Sequence, residues 1–173
     1  MKLTKKLLAM ALAGVMLLTI LTGCGGGKTG DRLVEEYMAT FLSENFGYGD
    51  IPITHDVPEI KTVAEKFEAS WLNDTGSWNI QGGKDSTDAR YKALKDVFNK
   101  YASGYTVNLY ACEVDSKQSE LNQTMRVMST FGYGLSIYTV LGLPTAIQCA
   151  TRLVTRGDTS YRIAVVIYDH TAN

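Results

Sequence analysis

Histidine is nearly absent from this chain: His55 and His170 are the only two among 173 residues. Cysteine is scarce as well, with Cys24, Cys112 and Cys149, and no two of them form a C-x-x-C pair. Zinc sites draw on clustered Cys and His at such short spacings, so neither a metal nor another cofactor is expected. A basic surplus is also missing, since 17 Lys+Arg face 18 Asp+Glu. That balance excludes the positive footprint of a nucleic-acid binder. The longest apolar run, Leu7 to Thr22, stops short of the ~20 residues a membrane-spanning helix needs. No internal repeat is visible.

What is present at the start is a secretory pattern. Lys2, Lys5 and Lys6 precede the run "LLAMALAGVMLLTILT", and small Gly23 stands just before Cys24. A charged n-region, a short apolar h-region and small residues are the marks of a signal peptide over 1–23. Taking its three lysines from 17 Lys+Arg leaves 14 against 18 Asp+Glu, so side-chain charge gives no help in reaching an anionic membrane surface. The adjoining "GGGKTG" is not a phosphate-cradling loop. That motif needs a glycine five positions before Gly27, between a strand and a helix, and the residue there is Thr22.

"LTGC", Leu21 to Cys24, resembles the lipobox of bacterial lipoproteins: an aliphatic residue, two small ones, then cysteine. The resemblance implies that Cys24 receives a diacylglyceryl group and becomes the first residue after cleavage. Two acyl chains suffice for stable anchoring at ~0.8 kcal/mol per buried methylene. Residues 24–30 would then be an anchor and flexible tether. The expected location is the extracytoplasmic side of the cell membrane.

Residues 31–173 read as one α+β domain, with N-terminal helices packed on an antiparallel sheet. The first helix is expected from Asp31 to about Phe46, with Leu33, Tyr37 and Phe41 on one line and Val34, Met38 and Leu42 beside it. The second opens at "HDVPE", where Asp56 can cap and Pro58 suits the first turn, and its stripe runs Ile60, Val63, Ala64, Phe67, Trp71. "NDTGSWNIQGGKDST" reads as a loop. A third helix from Ser86 or Thr87 carries Tyr91, Leu94, Phe98 and Tyr101, ending at Gly104. Strands are expected over 105–114, 135–141, 146–154 and 161–168. Between the first two, Leu121, Met125 and Met128 suit a short helix. The strand 161–168 is apolar on both faces, which predicts helices on at least one side of the sheet and allows an α-β-α sandwich.

Several residue sets are candidates for chemistry. Cys112 and Cys149 both fall on expected strands, and either a disulfide or two buried thiols would fit. His55 and Asp56, with Glu59 and Glu65, could form an acid/base cluster, but capping and the helix dipole already account for Asp56 and Glu59. His170, near the chain end, is expected in solvent. "RGD" at 156–158 has the composition of a tight turn. The ten tyrosines suggest a ring-lined groove for a glycan or peptide, with Tyr48, Trp78, Tyr133 and Tyr138 as candidate ligand-binding residues.

The segment "FGYGDIPITHDVPEIKTVAEKFEASW" and the hairpin "IQCATRLVTRGDTSYRIAVVIY" resemble parts of the CAP (SCP-like) superfamily. That resemblance implies a three-layer α-β-α sandwich and a secreted or lipid-anchored protein. The family's pocket histidines and paired acids have no counterparts here, so no catalytic or metal-binding residue carries over. The sequence therefore points to a binding or interaction module at the cell envelope, whose ligand could be glycan, peptide or protein. A cell-wall-associated enzyme or a degenerate CAP-like domain is the competing expectation.

Overall fold

The computed structural model describes residues 30–45, 49–72, 77–79, 89–101, 103–131 and 142–171. The expected signal peptide and Cys24 lie outside these residues, as does the strand expected at 135–141. Among the described residues no helix is long and apolar enough to cross a membrane.

The fold is α+β. Strands β1 (Ile53–Thr54), β2 (Ser77–Asn79), β3 (Tyr105–Val114), β4 (Ala146–Arg156) and β5 (Thr159–Asp169) form one sheet in the order β1-β4-β5-β3-β2. The helices are α1 (Gly30–Asn45), α2 (Glu59–Lys66), α3 (Ala89–Leu94) and α4 (Glu120–Phe131).

Strand β5 is the spine. It pairs with β3 from Tyr105↔Asp169 to Val114↔Ser160, and with β4 from Ala146↔Asp169 to Arg156↔Thr159. Every residue from Tyr161 to Tyr168 is buried, which is why the strand is apolar on both faces. The β4–β5 hairpin closes through Gly157 and Asp158. Gly157 has φ +60 and Asp158 does not share that sign, the arrangement of a type II′ turn with glycine first.

Two apolar layers sandwich the sheet. On one face α2, Phe67, Trp71, Leu94, Phe98 and Tyr101 cover Leu109, Ile163, Val165 and Ile167. On the other, α1 and α4 cover Tyr110, Cys149, Ala164, Val166 and Tyr168. Each fully buried aliphatic side chain in these layers contributes about 1.5–3 kcal/mol. Helix α1 points Val34, Met38 and Leu42 inward, each with no exposed surface, so the second of its two apolar lines is the core line.

Four expectations change. The sheet is mixed, because β1 runs parallel to β4. The expected loop at 73–87 contains the edge strand β2, paired with Asn108–Tyr110. Helix α2 stops at Lys66: Phe67 is extended at φ −62, ψ 133, and a separate 3₁₀ turn, Ala69–Trp71, brings Trp71 back onto Phe67 at 5.9 Å. The third helix is one short piece, Ala89–Leu94, followed by turns and a 3₁₀ segment at Asn99–Tyr101. There the backbone bonds Val97→Leu94 and Tyr101→Phe98 span three residues, not four. Tyr101 reaches the core all the same.

Helix α4 confirms a helix where Leu121, Met125 and Met128 suggested one, but on a rotated face. Gln123, Thr124, Val127, Met128 and Phe131 are buried, while Met125 is half exposed. Two polar residues thus face inward: Gln123 accepts from Arg162, and Thr124 donates its hydroxyl back to Glu120 O at 2.7 Å.

Candidate functional site

The polar chemistry inside this domain is concentrated on the α1/α4 face. Arg162 on β5 is 2% exposed. Its Nη1 donates to Asp31 Oδ1, while Nε and Nη2 both donate to Gln123 Oε1, at 3.1 and 2.5 Å. Burial pushes the Arg162 pKa down from its ordinary value, and the Asp31 carboxylate opposes that shift. A buried guanidinium needs such partners, since desolvating an unpaired charge costs several kcal/mol.

Asp31 and Glu35 have a second task. Strand β1 pairs with β4 only at Ile147 and Gln148, which leaves later outward-facing amides of β4 without a strand partner. Thr151 N donates to Glu35 Oε1 at 3.0 Å and Leu153 N to Asp31 Oδ1 at 3.1 Å. Four helical residues advance about 6 Å and two strand residues about 6.6 Å, so the two carboxylates match the two amides in register. The helix closes an edge that would otherwise invite pairing. Burial raises the Glu35 pKa above 4.5; the bond from Thr151 and the charge of Arg32 pull it back.

A cysteine–histidine contact exists among the described residues. Cys149 Sγ lies 3.5 Å from His55 Nδ1, a neighbourhood the sequence separation of 94 residues conceals. It is not built as a catalytic dyad. The thiol has no exposed surface, and burial, reinforced by Glu35, pushes its pKa up to about 12. A reactive cysteine needs a lowered pKa and access, and Cys149 has neither. Burial, together with Arg32, lowers the His55 pKa, against a hydrogen bond to the Cys149 backbone.

Cys112 and Cys149 are free and buried. Strand β5 separates their strands, and they sit opposite Arg162 and Val166 respectively. The two cysteines are therefore about 10 Å apart across the sheet and about 13 Å along it, beyond the ~7 Å Cα limit for a disulfide. The two-thiol alternative holds. Burial pushes the Cys112 pKa up to about 11.

The remaining candidates disperse. Asp56 is exposed and makes no cap bond; Pro58 occupies the cap position of α2. Glu59 pairs with Lys100 at 2.5 Å and accepts from Tyr101 OH at 3.4 Å, fastening α2 to the 3₁₀ segment. Arg156 does not display an "RGD" side chain to solvent. Its guanidinium donates to Ala64 O at 2.6 Å and Phe67 O at 3.0 Å, satisfying carbonyls at the C-terminus of α2. That contact also accounts for the helix ending there. His170 is buried, not solvated, and neither ring nitrogen has a partner. Among the described residues no three His, Cys, Asp or Glu side chains converge on a metal position.

Of the expected ligand-binding aromatics, Tyr48, Tyr133 and Tyr138 lie outside the described residues. Trp78 is placed by its backbone on β2, opposite Leu109. Tyr101, Tyr110, Tyr161 and Tyr168 are core, with Tyr110 stacked on Phe131 at 3.8 Å.

A different cleft is present. Residues 113–118, Asp158–Ser160 and Arg126 line an open groove of about 930 Å³ at the hairpin end of the sheet. Lys117 N donates to Asp115 Oδ1 at 2.9 Å, and Gln123 Nε2 donates to Gln118 O at 3.0 Å, so the 115–118 loop is held at both ends. Sequence alone could not assemble these residues, because strand register brings 113–114 beside 160–161. Comparison with known proteins adds no relative: no family model, curated protein or solved structure matches the chain.

Proposed function

We propose that this chain is a lipid-anchored protein of the extracytoplasmic membrane surface whose folded body acts as a binding module without evident catalysis. The anchor would be a diacylglyceryl group on Cys24, supported by the charged n-region, the apolar run and the lipobox-like "LTGC". The binding role rests on one observation, the polar groove at the hairpin end with its loop pinned in place. Pre-formed clefts of this size are where small ligands bind. Against an enzyme stands the Cys149–His55 contact itself, whose thiol is walled in and fully protonated at neutral pH.

The body is suited to a tether. Residue 30 opens α1, and Asp31 is clamped to Arg162 one residue later, so a flexible anchor would end abruptly on a rigid domain. Seven residues, 24–30, reach at most about 25 Å when extended, which bounds how far the start of α1 would stand from the bilayer. The test is expression of wild type and Cys24→Ser in a bacterium with labelled palmitate. Wild type should carry label and pellet with membranes; the variant should lose the label. An unlabelled wild-type chain would refute the anchor.

A further inference from the structure

We infer that the groove at the hairpin end takes a zwitterionic ligand, an amino acid or short peptide with a free ammonium and a free carboxylate. This rests on the binding role proposed above and names its ligand class.

Charges of both signs line the groove from different elements: Arg126 from α4, Lys117 from the loop, Glu113 from β3 and Asp158 from the hairpin turn. No hydrogen bond or ion pair from another described residue reaches any of these four side chains. The buried or half-buried charges of the body are committed instead: Arg162 on Asp31, Arg156 on the α2 carbonyls, Glu59 on Lys100. Two cations and three anions, Asp115 among them, line one cleft and complement a molecule that carries separated charges of both signs. A simple anion would meet the three carboxylates, and a simple cation the two bases.

A metal ion fits less well, because three acidic side chains do not converge here. The fifth charged group, Asp115, is committed to its own loop through Lys117 N. The hydroxyl of Thr159 adds an acceptor for an ammonium, while that of Ser160 lies 3.3 Å from Thr155 Oγ1. The walls are fixed beforehand by the glycine turn at 157 and by the Gln123–Gln118 bond, so binding costs little ordering entropy.

The test is a titration of the full-length ¹⁵N-labelled chain in detergent with trialanine, beside acetylated trialanine amide. Saturable shifts at 113–118 and 158–160 are expected with trialanine. Blocking both termini should weaken binding more than tenfold, and Arg126→Gln about tenfold, near the worth of one charge-assisted hydrogen bond. An unchanged unfolding midpoint for Arg126→Gln would show that the fold is intact. Equal binding of free and blocked peptides would overturn the inference. So would shifts of these residues only with a chitin trisaccharide, which would leave the binding role standing. Silence with all three probes would overturn the ligand class too, and would count against the groove as the binding site.

Discussion

Asp31 and Arg162 lie 131 positions apart and meet on the α1/α4 face, where one carboxylate oxygen accepts from both the Arg162 guanidinium and the Leu153 amide. The first turn of the first helix is thereby fastened to the central strand and to the edge beside it. Arg162→Leu would strand Asp31 and Gln123 against the sheet. Breaking a buried pair by removing one partner costs about 3–5 kcal/mol, and a denaturant midpoint series should read a loss of that order. Asp31→Asn leaves the buried Arg162 guanidinium without its carboxylate, so it should cost at least as much.

Glu35 gives a pH-dependent signature. Its pKa is raised in the folded state, so the folded chain holds this proton more tightly than the unfolded one. The stabilisation is complete below about 4.5 and is lost as pH rises through the folded value. Glu35→Gln keeps an acceptor for Thr151 N and removes the titration. It should equal wild type at acid pH and match or exceed it at pH 7. Glu35→Ala should cost about 1–3 kcal/mol at both, by orphaning the Thr151 amide. Thermal melts of the three proteins at pH 4 and pH 7 check this.

His170 acts with the opposite sign. Burial lowers its pKa below 6.5, so the unfolded chain takes up the proton first, and stability falls as pH drops below 6.5. His55 shifts in the same direction and shares the effect. His170→Leu removes two unpartnered ring nitrogens and keeps the backbone bond from residue 170 to Gly104 O. It should gain about 1 kcal/mol at pH 7 and show a shallower loss of stability between pH 7 and pH 5.

The two body thiols should be silent in the native state. With pKa values pushed to about 11 and about 12, Cys112 and Cys149 are protonated at pH 8. Iodoacetamide should label neither until denaturant is added, after which both should react within minutes. Rapid labelling of Cys149 in the folded chain would show that its closed environment opens.

Much of this fold was legible because it rests on period and continuity. Strands 105–114, 146–154 and 161–168 appear where alternation and β-branched runs placed them, and the two-sided apolarity of 161–168 implied helices on at least one face, where the structure has them on both. The misses have local causes. Trp71 sits at helical spacing from Phe67, but Arg156, 89 positions away, takes the carbonyls that would continue the helix. Strand β2 is three residues inside a glycine-rich stretch and owes its existence to the edge of β3. Gln123 breaks the apolar stripe of α4 only because Arg162 needs an acceptor. The groove residues carry no local signal at all, since they are ordinary surface charges gathered by register.

The account depends most on Cys24. Mass spectrometry of the natively expressed protein tests it directly. A chain beginning at residue 24, with a diacylglyceryl group on that sulfur, is the predicted result. An intact leader, or a processed terminus with the sulfur unmodified, would contradict it.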